Sequence, residues 1–304
     1  MTRQPKDLGA SVQARLRNVA RERGEDVQVV LLQFVLERLL HRLASSPHRR
    51  EFVLKGAMLF TAWTKIAHRA TRDLDLLGSG PSELPRLAAI FRTICLTEVE
   101  SDGVSFDADS VASSRIREDQ LYEAVRVLLT ASVGTARISV QVDIGFGDAV
   151  TPHPVEMAFP TLLGQPPVQL LTYPREVVVA EKFHAMVSLG LLNSRMKDFY
   201  DLSVLAAQFP FAGPQLGAGI AATFARRQTA LPVDLPVALS REFAEDKDKR
   251  VKWAAFVRRN KLPADATDLA SVLARLQTFL WPIVLALQGR QPMPGAWSPS
   301  GPWS

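Results

Sequence analysis

Two aspartates one residue apart, Asp73 and Asp75 in "TRDLDLLG", close a basic segment. If this run is a strand, both carboxylates share one face and Leu74 and Leu76 share the other. Two like charges aimed the same way resist burial unless a cation answers them. A third carboxylate stands in "ARISVQVDIGFGD", where Asp143 shares a polar face with Ser139 and Gln141 while Ile138, Val140, Val142 and Ile144 share the apolar one. If the two strands adjoin, three carboxylates converge. Hard oxygen ligands at that density suit magnesium, which commonly bridges to substrate phosphates. Two such ions could clamp the attacking and leaving oxygens of a phosphoryl or nucleotidyl transfer. Upstream, "VLKGAML" places Gly56 between a short strand and a helix, with Lys55 before it and Ala57 after it. A glycine there lets backbone N–H groups approach a phosphate. The plainer alternative is an acidic strand end with no ligand, and Gly56 and Asp143 together weigh against it.

A second group lies in "AEKFHAMVSLGLLNSRMKDFYDL". Lys182 shares a helix face with Met186 and Leu189. On the next helix Asp198, Asp201, Leu202 and Leu205 fall at i, i+3, i+4 and i+7, so both carboxylates join a partly buried face. Charges on an apolar stripe need partners. Lys182 pairing with Asp198 or Asp201 is the structural explanation. The functional one makes Lys182 a phosphate ligand, with Asp198 orienting it or acting as a base. Both can hold at once.

The elements that must position these groups follow from periodicity and breakers. Ser11 suits an N-cap before a helix that ends at Gly24, and "EDVQVVLLQFVLERLLHRL" predicts a helix with a broad apolar face. A helix is expected from about Ala57 to Ile66, and another over "SELPRLAAIFRTICL". "VSFDADSVASSRIRE" reads as a strand plus a loop, and two strands flank Gly134. Thr151 to Pro174 holds six prolines and reads as a crossing segment between lobes. Helices dominate from Arg175, and the Pro-, Gly- and Ser-rich tail reads as disordered. The expected division is 1–50 N-terminal helical segment, 51–173 core, 174–288 helical C-terminal lobe and 289–304 tail.

The 304 residues suffice for one large or two modest domains, and 47% hydrophobic with 22% charged residues is ordinary for a globular chain. A net charge of +5 agrees with a polyanionic partner without requiring one. Cys95 is the single cysteine, which excludes an intrachain disulfide and a cysteine zinc cluster, and its apolar helix makes it a core residue. The five histidines are scattered, without metal-ligand spacing. Met1 to Asp26 is charged and polar, unlike a signal peptide. The apolar windows near Val27–Leu40 and Leu276–Leu287 read as too short or too interrupted to span a bilayer. A reducing cytoplasmic location and no membrane are expected.

The segments "FVLKGAMLF", "HRATRDLDLLG", "VQVDIGFGD" and "VVVAEKFHAMVSLGLLNSRMKDFYDL" resemble the AbiEii/AbiGii-type nucleotidyltransferase toxins of bacterial toxin–antitoxin and abortive-infection systems. The resemblance runs over nearly the whole chain. It implies an α+β fold with a DNA-polymerase-β-like nucleotidyltransferase core, a mixed sheet, N-terminal helices and a helical C-terminal lobe. It also implies magnesium, a nucleoside triphosphate, a cognate antitoxin, and an acceptor that in some members is the tRNA 3′ end. Carried over by position, Gly56 opens the phosphate loop, Asp73 and Asp75 hold metal, Lys182 is the essential lysine and Asp198 the later essential acid. Asp143 is the candidate third acid of the metal set. Lys55, Gly56, Ala57, Arg72 and Lys182 make up the nucleotide-binding set. Gly56-Ala57 departs from the commoner Gly-Ser or Gly-Gly, which removes a hydroxyl but leaves backbone contacts.

Basic residues supply a surface for tRNA: Arg49 and Arg50; His68, Arg69 and Arg72; Arg226 and Arg227; Arg258, Arg259 and Lys261. Arg69 and Arg72 are favoured because they adjoin the acidic pair. Trp63 and Trp253 suit core packing better than base stacking. Two rival readings remain. One keeps the nucleotide but changes the acceptor to a protein side chain or a small molecule such as an aminoglycoside. The other is a non-catalytic nucleic-acid- or partner-binding module on a degenerate nucleotidyltransferase fold, which the Gly56-Ala57 departure favours and the retained Asp73 and Asp75 oppose.

Overall fold

The computed structural model describes residues 7–64, 71–116, 123–263 and 268–304. It divides into two compact units, one running to Asp148 and including Val155–Thr172, the other comprising Ala149–Pro154 and Tyr173–Ser304. The expected separate N-terminal segment is thus part of the first unit, and the segment from Thr151 to Pro174 is shared between the two.

In the first unit, α1 (Leu8–Arg23) is capped by Asp7, not Ser11: the Asp7 carboxylate accepts from the Ala10 N–H. It ends on left-handed Gly24, whose N–H returns to the last turn. Asp26 caps α2 (Val27–Ser45), which buries Leu31, Phe34, Val35, Leu39 and Leu43. Burial of that face also encloses Arg42, whose guanidinium forks onto Asp102 at 2.7 and 3.1 Å. The seven strands are β1 (Phe52–Lys55), β2 (Asp73–Gly78), β3 (Val104–Arg115), β4 (Ala124–Val133), β5 (Ala136–Phe146), β6 (Val155–Phe159) and β7 (Val168–Thr172). They form one mixed sheet in the order β3-β4-β5-β2-β1-β7-β6, with β2–β5 and β1–β7 parallel. Among the described residues the unit also holds the helices α3 (Met58–Thr64) and α4 (Leu84–Leu96). Apolar side chains of alternating strand positions, among them Leu54, Leu76, Val125 and Ile144, are buried on one face.

Two expectations change here. The stretch read as a strand plus a loop is, as far as Arg115, one strand, β3, which absorbs its irregularity as a bulge between Asp107 and Ala112. The Pro-rich stretch is no mere crossing: β6 and β7 pair as an antiparallel hairpin. Its prolines flank "VEMAF" and "VQLLT" without entering them, so every ladder donor is kept.

The second unit is mainly helical: α5 (Arg175–Leu189), α6 (Met196–Gln208), α7 (Gly213–Arg226), the short α8 (Arg241–Glu245), α9 (Lys247–Asn260) and α10 (Leu269–Leu287). By length and composition α10 is long and apolar enough to cross a bilayer, so the apolar window near Leu276 is longer than expected. It buries Leu276, Phe279, Leu280, Ile283 and Val284 and packs against α6 and α7, as a core helix does. The expected disordered tail is ordered instead. Its strand β9 (Ala296–Trp297) pairs with β8 (Phe211–Ala212), the Trp297 indole N–H donates to the Ala206 carbonyl at 2.7 Å, and that of Trp303 donates to the Phe279 carbonyl at 2.9 Å. The buried Trp297 indole and the half-buried one of Trp303 outweigh a breaker-rich composition.

Candidate active site

Strand register builds the first site. Asp75 on β2 lies opposite Lys55 on β1 and Asp143 on β5, and Asp143 lies opposite Arg126 on β4. Directly opposed residues share a face, so four adjacent strands carry one transverse row: Lys55, Asp75, Asp143, Arg126. One position along, the row Leu54, Leu76, Ile144, Val125 belongs to the buried face. The sheet therefore presents a charged row with cations at both ends and two carboxylates in the middle.

Asp73, two residues before Asp75, adds the third acid. Ligand oxygens of Asp73, Asp75 and Asp143 all lie within 4.8 Å of one another, on half-buried side chains. Thr71 donates its hydroxyl to Asp73 Oδ1 at 3.1 Å. Asp143 is gripped by Arg126, Nε to Oδ1 and Nη2 to Oδ2, each at 2.8 Å, and Gln141 donates to Oδ2 at 3.1 Å. The donor set is all carboxylate oxygen, which fits a hard divalent cation, with Arg126 offsetting part of the charge on the third acid.

Gly56 has a second duty beside the turn. Its φ is +74°, and a Cβ there would sit 2.0 Å from Asp75 Oδ2. Only a residue without a side chain leaves the Asp75 carboxylate where it is. Lys55 directs its amine to Asp148 Oδ2 at 2.7 Å. Ala57 lies in the turn that leads into α3, and Arg72 is exposed. His68 and Arg69 lie outside the described residues, as does the end of the helix expected to reach Ile66.

The second group forms within the helical unit. Lys182 on α5 places Nζ 2.6 Å from Asp198 Oδ1 and 2.8 Å from Asp201 Oδ2, both on α6. Arg195 Nε stands 2.7 Å from Asp198 Oδ2. Both carboxylates are fully buried, more deeply than the partly buried face expected from the helical stripe. Two cations against two acids make the cluster neutral, which is what burial demands. Asp198 also lies in the first turn of α6, where the helix dipole favours an anion.

Sequence reasoning passed over Arg126, Asp148 and Arg195. Arg126 had a signal: it is the lone cation in the apolar run "AVRVLL". Among the histidines, burial and the Arg227 guanidinium push the imidazole of His184 down to about 4, and it contacts Thr229 Oγ1 at 2.9 Å, as a neutral core histidine does. Cys95 is buried, and burial pushes its thiol up to about 11, which keeps it inert.

A glycine turn tucked against adjacent carboxylate strands on a mixed sheet has groups suited to nucleotidyl transfer, and the sequence comparison gives that class. The family model for the nucleotidyl transferase AbiEii toxin of type IV toxin–antitoxin systems matches residues 38–276, and the chain belongs to that family. No curated protein matches the sequence. Among solved structures, JHP933 from Helicobacter pylori is similar at 15% identity, with 87% of this chain and 95% of that chain covered and a TM-score of 0.49. A candidate nucleotidyltransferase from H. pylori is similar at 14% identity, with 88% and 99% covered and a TM-score of 0.47.

Proposed function

We propose that this nucleotidyltransferase toxin uses magnesium to transfer a nucleoside monophosphate from a nucleoside triphosphate to the 3′ end of tRNA, which blocks translation. The observation that carries the reading is the register that sets Asp75 beside Asp143, with Asp73 on the same face. Asp73 and Asp75 hold the ion, and Asp143 completes the set. A bound divalent ion would neutralise the triphosphate and polarise its oxygens. The Gly56-Ala57 turn offers backbone N–H groups to the phosphates, and Lys55 and Arg72 supply positive charge. The acceptor hydroxyl oxygen forms a bond to the α-phosphorus, the bond from that phosphorus to the bridging oxygen breaks, and pyrophosphate leaves. Of the two acids considered as base, Asp143 is 19% exposed at its side chain and Asp198 is wholly enclosed. We assign the proton to Asp143 and the positioning of Lys182 to Asp198. The family implies an antitoxin partner, and the reaction as proposed takes place in the cytoplasm.

Incubation with bulk bacterial tRNA, magnesium and each α-labelled nucleoside triphosphate tests the reading, with Asp75→Ala as control. Label on tRNA from one triphosphate, absent in the variant, is the expected result. Label on protein instead would move the acceptor to a side chain. No transfer, with toxicity surviving Asp75→Ala, would make the acidic row structural.

A further inference from the structure

Charge is unevenly spread along the chain. From Lys247 to Lys261, α9 and its C-cap hold seven cationic side chains and one acidic one, Asp248, a balance of +6; the whole chain is +5, so everything else comes to −1. The basic character of the protein is the character of one helix.

Folding accounts for only part of it. Trp253 is buried, and Phe256 packs against Tyr200 of α6 at 6.0 Å, so these residues form the inner face of α9. Lys249 is buried with them, its amine 5.5 Å from the Phe243 ring. Lys252 pairs with Asp248 at 2.6 Å. Arg258 and Arg259 lie in the last turn, where the helix dipole favours cations. Lys247 and Arg250 have no such reason. They stand at the positive, N-terminal end, where the same dipole opposes them, and both are exposed.

Helical spacing explains what the placement achieves. Lys247, Arg250, Ala254, Arg258 and Lys261 follow i, i+3, i+7, i+11 and i+14, so they form one exposed stripe without an acidic member. At 1.5 Å per residue the stripe is about 21 Å long. Ala254 sits at its centre, small enough for a bulky backbone to lie close between the charged ends. Among the described residues, Asp268, the N-cap of α10, is an acidic group that feels Arg250 from outside the helix.

We propose that the stripe Lys247–Arg250–Arg258–Lys261 on α9 is a docking ridge for the phosphate backbone of structured RNA. A rigid row of cations with a small-residue centre complements a continuous line of phosphates and reads no sequence. The choice of RNA rests on the acceptor proposed above, but binding needs neither nucleotide nor metal, so the two can fail separately.

The test is fluorescence anisotropy of the full chain against a labelled 20-base-pair RNA duplex and bulk tRNA, in EDTA without nucleotide, over a salt series. Lys247→Ala/Arg250→Ala/Arg258→Ala should lose at least about 10-fold in affinity for both RNAs, and its log–log salt slope should fall by about 2. Lys247→Arg/Lys261→Arg should bind as wild type, and Asp75→Ala should bind normally although it cannot transfer. All replaced residues are exposed, and a matching melting curve verifies the fold; Arg258→Glu alone should weaken binding if the triple variant is unstable. Wild-type affinity and slope in the triple variant would overturn the proposal, as would absence of RNA binding by the wild type at low salt. Loss of an acidic protein partner with RNA binding unchanged would reassign the ridge to protein and overturn it too.

Discussion

The two charged groups of this protein are built on opposite principles. On the sheet, Asp73, Asp75 and Asp143 stand together half-exposed, with one of the three gripped by Arg126. In the helical unit, Asp198 and Asp201 are completely buried and matched by Lys182 and Arg195. The first arrangement keeps three carboxylates within reach of a ligand. The second cancels its charge within the protein. Clustered carboxylates on a half-exposed face stay available to a ligand, whereas a neutral buried network holds helices in one geometry.

The largest expected contrast comes from deleting one acid in each. Asp75→Ala should abolish nucleotidyl transfer while the melting temperature changes little, because the side chain is only half-buried. Asp201→Ala strips Lys182 of one buried partner and should cost about 3–5 kcal/mol, read by chemical denaturation. Equal stability losses in the two variants would break the comparison.

Gly56→Ala sits between these extremes. The new methyl meets the Asp75 carboxylate, and the left-handed backbone adds about 1–2 kcal/mol of strain. Transfer should fall by about 100-fold, more than the modest drop in melting temperature suggests. Normal activity would mean that Asp75 can move without consequence.

Arg126→Met probes the shared charge on the sheet. Freed of its guanidinium partner, Asp143 should contribute more to cation binding, so manganese titrated calorimetrically should bind several-fold tighter. Unchanged affinity would show that Asp143 lies outside the metal set.

The smallest effect separates the units by pH. His184 in the helical unit is held neutral at about 4, below its ordinary value of 6.5. Its depressed pKa means that the folded state loses stability as pH falls from about 6.5 through 4. Glu37 in the first unit is shifted the other way, to about 7, because burial outweighs the Arg38 guanidinium. Its contribution is complete below about 4.5 and is lost as pH rises through 7. His184→Gln should flatten the acid limb of a melting-temperature profile, and Glu37→Gln the neutral limb. Unaltered profiles would remove both groups from the account.

Local pattern was enough to identify the acids and to orient them. Period-two alternation put Asp73 and Asp75 on one face of β2 and Asp143 on the polar face of β5, and helical spacing put Asp198 and Asp201 on one buried stripe. These are properties of a few consecutive residues, so the amino-acid order settles them. It also settled the family. Partnership was another matter. Asp75 and Asp143 meet because β2 and β5, far apart in the chain, pair in parallel at one register, and a one-residue slip would have turned Asp143 to the apolar face. Arg126 joins them by the same register on the other side of β5. The Pro-rich hairpin and the ordered tail depended likewise on distant partners: β1 for β7, and the Ala206 carbonyl and Phe279 for the two tail indoles. Composition measures how readily a segment bends, but packing decides whether it stays, since its burial depends on surfaces supplied from elsewhere in the chain.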